Sequence, residues 1–134
     1  MSVSSVYSKI ITIPAAAIDE NGHVNNVVYV QWMQDIAVEH YASIGGIEAQ
    51  GPDSTWVIRK HSVEYFLPGF KGEEVEVRTW VEDLRKVRSL RMYEFVRKSD
   101  GKILVKGETD WVFIDVETGR PKAIPVEVEN VFTP

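Results

Sequence analysis

The sequence predicts an α+β domain in which an antiparallel sheet of about five strands wraps around one long helix. Three observations carry this. The apolar residues Tyr29, Trp32, Met33, Ile36, Ala37, Tyr41 and Ile44 recur at the three- and four-residue spacing of one helix face. Segments before and after this run alternate or are rich in β-branched and aromatic residues, as strands are. The later segments are joined by short turns built on Pro68-Gly69 and Asp100-Gly101.

Tyr7 to Ile13 reads as the first strand, ended by Pro14. Ala15-Ala16-Ala17-Ile18 leads into a polar loop. The helix is expected from Asn26 to Ile44, with Asn25 or Asn26 as N-cap and Gly45-Gly46 as the stop. Glu48 to Thr55, with Gly51-Pro52-Asp53, reads as a loop. The second strand is Trp56 to Phe66. Its two faces carry Val57, Arg59, His61, Val63 and Tyr65, and Ile58, Lys60, Ser62, Glu64 and Phe66. Glu73 to Glu82 sets Val75, Val77, Thr79 and Val81 against Glu74, Glu76, Arg78 and Glu82, the pattern of a half-buried strand. Arg88 to Lys98 and Ile103 to Val116 complete the sheet. Thr118-Gly119-Arg120-Pro121 turns the chain into a short tail from Ile124-Pro125, with room for one helical turn.

At 134 residues the chain reads as one domain, 1–134, large enough for a real core. Its balance of 44% apolar to 26% charged residues is that of a soluble globular protein. A net charge of −5 argues against nucleic acid or an anionic membrane as the main partner. The absence of cysteine excludes disulfides, thiolate nucleophiles and Cys-ligated metals. Met1-Ser2-Val3-Ser4-Ser5 has neither a basic n-region nor an apolar core, and no apolar run approaches the length of a membrane span. A cytoplasmic protein is the expectation.

The chemistry concentrates in Asp19-Glu20-Asn21-Gly22-His23-Val24-Asn25-Asn26, just ahead of the long helix. Unpaired backbone N–H groups and the helix dipole favour negative charge at that helix start. A carboxylate, Asp19, and a ready-made oxyanion site at Asn25 and Asn26 therefore lie a few residues apart. The helix face of Tyr29, Trp32, Met33 and Ile36 begins at this loop and is apolar; it reads first as core packing and otherwise as the lining of an apolar pocket. Asp35, Glu39, His40 and His61 read as structural or solvated groups.

The run Asp19-Glu20-Asn21-Gly22-His23-Val24-Asn25-Asn26, followed by Tyr29 and Trp32, resembles the acyl thioesterases of the hotdog superfamily. The nearest motif is that of the plant acyl-ACP thioesterases, D-x-N-x-H-V-N-N-x-x-Y-x-x-W. The bacterial 4-hydroxybenzoyl-CoA thioesterase family shares the Asp and the following Tyr. Val63-Glu64-Tyr65 with Phe66-Leu67-Pro68, and Trp111-Val112-Phe113-Ile114-Asp115 with Thr118-Gly119-Arg120-Pro121 and Ile124-Pro125, extend the likeness over nearly the whole chain.

The resemblance implies a single hotdog fold and hydrolysis of an acyl-CoA or acyl-ACP thioester, with no metal and no redox cofactor. It implies a catalytic set of Asp19, Asn21 and His23, with Asp19 as nucleophile or general base, and an oxyanion-binding backbone N–H near Asn26. Some bacterial relatives carry an acid where Ala17 stands and a His where Asn26 stands, so the plant-like arrangement fits better. The plant enzymes are double-hotdog chains. A single unit is expected to pair with itself, as a homodimer or a tetramer of dimers, also because such a sheet leaves an edge and a face to be covered. The carrier phosphates need cations, for which Arg59, Lys60, Arg85, Lys86, Arg88 and Arg91 are candidates. Of these, the Arg85-Lys86-Val87-Arg88 turn sets three cations on one turn. Rival readings are a hotdog enoyl-CoA hydratase, whose D-x-N-P-H motif has Pro where Gly22 stands here, and a non-catalytic acyl-CoA-binding module.

Overall fold

The structure is a computed structural model that describes residues 3–133; Met1 and Ser2, part of the stretch read for a leader, lie outside the described residues. Five strands form one antiparallel sheet: β1 (Tyr7–Thr12), β2 (Ser54–Tyr65), β3 (Glu74–Arg85), β4 (Arg88–Arg97) and β5 (Ile103–Asp115). Their order across the sheet is β1-β3-β4-β5-β2, so β1 and β2 are its edges. The long helix α1 spans Asn26–Ser43. Two short helices follow, α2 (Gly46–Gln50) and α3 (Val126–Phe132). Among the described residues no helix is long and apolar enough to cross a membrane.

The sheet's inward rows meet α1. Val75, Val77, Thr79 and Val81 of β3 are buried as the alternation predicts. On β4 the inward row is Ser89, Arg91, Tyr93 and Phe95, which leaves Leu90 and Met92 half-buried on the other side. Tyr29, Met33, Ile36 and Ala37 of α1 close the layer, with Tyr29, Met33 and Ile36 at 2%, 0% and 0% exposure. One glycine sets how closely helix and sheet approach. A Cβ on Gly107 of β5 would stand 2.4 Å from the Met33 sulfur, so α1 rests where the sheet has no side chain. A second apolar cluster, Val81, Phe113, Ile124, Val128 and Phe132, lies toward the C-terminal end of α1 and includes α3.

Three features differ from the sequence expectation. The predicted loop Glu48 to Thr55 begins inside α2. Gly45-Gly46 at its start and Gly51-Pro52 after it disguise this helix, whose last residue is held by two side-chain bonds: Tyr41 Oη donates to Gln50 Oε1 (2.9 Å) and Gln50 Nε2 donates to the Ser54 carbonyl (3.0 Å). The tail makes the seven-residue α3 rather than one turn, because Val128 and Phe132 reach the core. The strict alternation of β2 breaks at a register shift between Ile58 and Lys60, so Arg59 and Lys60 are both exposed.

Candidate active site

The polar loop is closed by its own backbone. Ile18 and Val24 form an antiparallel bridge, the Asp19 N–H donates to the His23 carbonyl (3.0 Å), and the Gly22 N–H donates to the Asp19 carbonyl (3.0 Å). Gly22 takes φ +85°, a value a side chain would resist, and this lets the turn close over so few residues. Two further bonds anchor the loop: Asn25 N–H to the Ala17 carbonyl and Val24 N–H to the Gly69 carbonyl, each 2.9 Å. The Ala17 bond and the Ile18–Val24 bridge set Ala17 and Ile18, which lead directly into Asp19, against Asn25 and Val24 at the start of α1.

Asp19 is half-buried, and its Oδ1 accepts the Asn21 N–H at 2.9 Å. The Asn21 residue is exposed. His23 is half-buried, with Nδ1 at 3.3 Å from the Val24 carbonyl. Nδ1–H as donor in that contact leaves the Nε2 lone pair available. Among the described residues no hydrogen bond joins the Asp19 carboxylate to the His23 ring. The loop thus brings the three residues of the expected catalytic set into one turn without locking them to one another.

Asn25 is the N-cap: its Oδ1 accepts the Val27 N–H (3.0 Å) and its carbonyl accepts the Val28 N–H (2.9 Å). The Asn26 N–H is left without an acceptor in the described chain, while the Asn26 carbonyl accepts the Tyr65 hydroxyl at 3.2 Å. A free N–H at the positive end of an 18-residue helix is the arrangement that attracts an oxyanion.

The other expected residues fall in three places. Tyr29, Met33 and Ile36 are core, and burial pushes the Tyr29 hydroxyl up to about 12, aided by nearby Glu73 and Tyr65. Trp32 keeps a half-exposed edge. Arg59, Lys60, Arg85 and Arg88 line one basin of about 390 Å³ on the sheet, together with Asp83, Glu108 and Asp110. Asp110 accepts from Arg88 and from Arg59 Nη1 (2.9 Å), and these bonds, Arg88's first, hold its carboxyl below the usual carboxylate range. Arg85 Nε donates to Asp83 Oδ2 at 2.7 Å. Lys86 stands at the turn tip with φ 49° and does not line the basin.

Arg91 is not a rim cation. It is 4% exposed, and its Nη1 lies 2.9 Å from His40 Nδ1 and 3.1 Å from Thr79 Oγ1. His40, 3% exposed, is pushed down to about 4 by burial and then by the Arg91 charge. This buried pair escaped the sequence reading. Its only signal was Arg91 sharing a strand face with Tyr93 and Phe95. Asp35 and Glu39 lie on the solvated side of α1, where Asp35 accepts from Gln31 and Glu39 pairs with Lys9 at 2.6 Å.

Residues 13–132 match the thioesterase-like superfamily, and the chain belongs to it. The chain is 27% identical over 109 residues to a chloroplastic acyl-[acyl-carrier-protein] hydrolase, FATB3, of Cuphea viscosissima, a match covering 75% of this chain but only 26% of that relative's length. Among solved structures, a 1,4-dihydroxy-2-naphthoyl-CoA thioesterase from Synechocystis superposes with a TM-score of 0.84 at 17% identity, covering 96% of each chain. The 12:0-ACP thioesterase from Umbellularia californica gives 0.85 at 21% identity, over 96% of this chain and 51% of that one. At these identities the structures speak to the fold, and the fold expected from the sequence, a single helix wrapped by a five-stranded antiparallel hotdog sheet, is the one observed.

Proposed function

We propose that the protein hydrolyses an acyl-CoA or acyl-ACP thioester to a free carboxylic acid and a thiol. The observation that carries this reading is the half-buried Asp19 carboxylate on a turn whose base, through the Ile18–Val24 bridge and the Asn25–Ala17 bond, is fixed to a helix start whose Asn26 N–H has no acceptor in the described chain. In the proposed reaction the thioester carbonyl oxygen takes the Asn26 N–H and the dipole of α1 as the charge develops on it. Asp19 either removes a proton from the attacking water or attacks the carbonyl itself. In the first case the water oxygen bonds to carbon, its proton passes to Asp19, and the C–S bond breaks. The departing thiolate is a good leaving group and needs no strong general acid. His23, through its available Nε2, and Asn21 orient the water or the carboxylate.

The acyl group lies along α1. Of the four expected pocket residues, Trp32 is the one able to touch it without repacking, while Tyr29, Met33 and Ile36 hold the surface from behind. The carrier's phosphates meet the basin of Arg59, Lys60, Arg85 and Arg88. We further propose a homodimer or a tetramer of dimers. The twelve-residue edge strand β2 pairs on one side only, and Val27, Tyr65, Phe66 and Phe70, apolar and exposed, gather around the candidate site. An assay panel tests the activity: thiol release from short, long and aromatic acyl groups on both CoA and acyl carrier protein, against absorbance loss from crotonyl-CoA. Thiol release is expected. Loss of the crotonyl double bond without thiol release makes the protein a hydratase instead.

A further inference from the structure

A second cavity, of about 220 Å³, lies beneath the C-terminal half of α1, bounded by Tyr41, Ile47, Trp56, Arg91, Trp111 and Phe132. None of the residues proposed for catalysis borders it. No aspartate or glutamate lines it, yet it holds the chain's most deeply buried cation. Arg91 has two neutral neighbours in hydrogen-bond reach, His40 Nδ1 and Thr79 Oγ1, and no described carboxylate pairs with it. Burial draws the Arg91 guanidinium down to about 10, so it stays charged at neutral pH. The indole N–H groups of Trp56 and Trp111 are also buried without an acceptor in hydrogen-bond geometry. Each indole lies near a tyrosine hydroxyl, Trp56 by Tyr41 and Trp111 by Tyr93, and burial is the largest cause that raises both hydroxyls.

A buried guanidinium without an anion is costly, because the lost hydration is not repaid by a partner charge. Besides the guanidinium, the Trp56 and Trp111 indole N–H groups and the Tyr93 hydroxyl are buried without a partner, and the cavity walls are aromatic and aliphatic apart from Gln50, Thr55 and Ser89. At the mouth, Val38 and Ile47 are 59% and 53% exposed, an apolar rim over a cationic floor. We propose that this cavity binds a small amphipathic carboxylate, its head on Arg91 and its apolar body between Tyr41, Trp56, Trp111 and Phe132. The planar guanidinium offers a carboxylate paired donors. At about 220 Å³ the cavity is smaller than most ligand sites, which selects a short- to medium-chain or single-ring acid over a long-chain one. Two sources share this chemistry: the free acid that the proposed hydrolysis releases, and a carboxylate at the far end of the acyl group being hydrolysed. The choice between them rests on the thioesterase reading; the site does not.

Octanoate titrated against the purified chain, read by calorimetry and by tryptophan fluorescence, tests the site directly, with octanol as the uncharged control. Octanoate is expected to saturate, with octanol weaker by about tenfold or more, the loss that accompanies removal of a charged acceptor. Arg91→Gln should abolish the preference for octanoate. Val38→Trp, an exposed position at the mouth, should block both ligands with the melting temperature unchanged, which covers the case in which the buried variant does not fold. Equal binding of octanoate and octanol by the parent, a preference for octanoate that survives Arg91→Gln, or octanoate binding that survives Val38→Trp, overturns the proposal. Octanoyl-CoA and suberyl-CoA then separate the sources. A suberyl preference lost in Arg91→Gln identifies the distal carboxylate, and octanoate inhibition relieved in that variant identifies the released acid. Octanoate binding without turnover of any acyl thioester of the panel, on either carrier, leaves the cavity assignment standing and removes the thioesterase reading.

Discussion

Acidification should weaken this protein through His40. The imidazole is 3% exposed, lies 2.9 Å from the Arg91 guanidinium, stacks on Tyr7 with ring centroids 5.1 Å apart and meets Phe132 at 6.4 Å. Burial and Arg91 both oppose its protonation, which places its folded pKa at about 4. The ordinary value is 6.5, so the unfolded chain binds the proton first. The His40 contribution is therefore fully present above pH 6.5 and is lost as pH falls toward 4. For one group with those two pKa values, stability at pH 4.5 is lower than at pH 8 by about 2.5 kcal/mol. His40→Gln keeps an acceptor for Arg91 and cannot be protonated. Urea unfolding at pH 8 and pH 4.5 should show the parent losing about 2.5 kcal/mol more than the variant. Half-buried His61, also pushed down by burial, adds a slope of the same sign to both proteins and cancels in the comparison. Equal pH losses in parent and variant would refute the reasoning, and with it the claim that His40 sits neutral against a buried cation.

Other outcomes follow from the loop and the basin. His23→Ala should lower kcat by on the order of tenfold or more with almost no change in melting temperature, since the ring's described polar contact is a 3.3 Å approach to the adjacent carbonyl. A matching collapse of melting temperature would make His23 a support of the fold instead. Replacing Arg85, Lys86 and Arg88 together by Ala should raise KM for acyl-CoA and spare kcat, while Asp110 keeps Arg59 as partner; an unchanged KM would take the carrier away from this turn. Light scattering at micromolar concentration should report a homodimer or a larger assembly, and a fully active monomer would contradict the proposed pairing.

What could be read from the sequence was what is local. Helix α1 starts at Asn26, as expected, and ends at Ser43, one residue short of the expectation, because Asn25 and Gly45 mark its ends with their own chemistry. The strands were readable to within a few residues, with β3 running on to Arg85 rather than stopping at Glu82. The candidate site was visible because it is contiguous: one stretch of eight residues folds back on itself. Long-range packing hid the rest. Arg91 looked like one more surface cation until the β4 register turned it toward His40. Arg59 and Lys60 share a basin only because β2 slips between Ile58 and Lys60. Tyr29, Met33 and Ile36 carry the helix periodicity that both a core and an acyl surface would show, and in the folded chain the sheet takes them as core.

Asp19→Asn measures the central claim most directly. The amide is nearly isosteric, can still accept the Asn21 N–H, and can neither attack nor hold a proton from water. With the parent's best acyl thioester as substrate, the variant should keep the parent's melting temperature and lose a factor on the order of 10²–10⁴ in kcat, more if Asp19 is the nucleophile. Hydrolysis by the variant within about threefold of the parent, a barrier change of under 1 kcal/mol, would show that Asp19 is not the catalytic carboxylate.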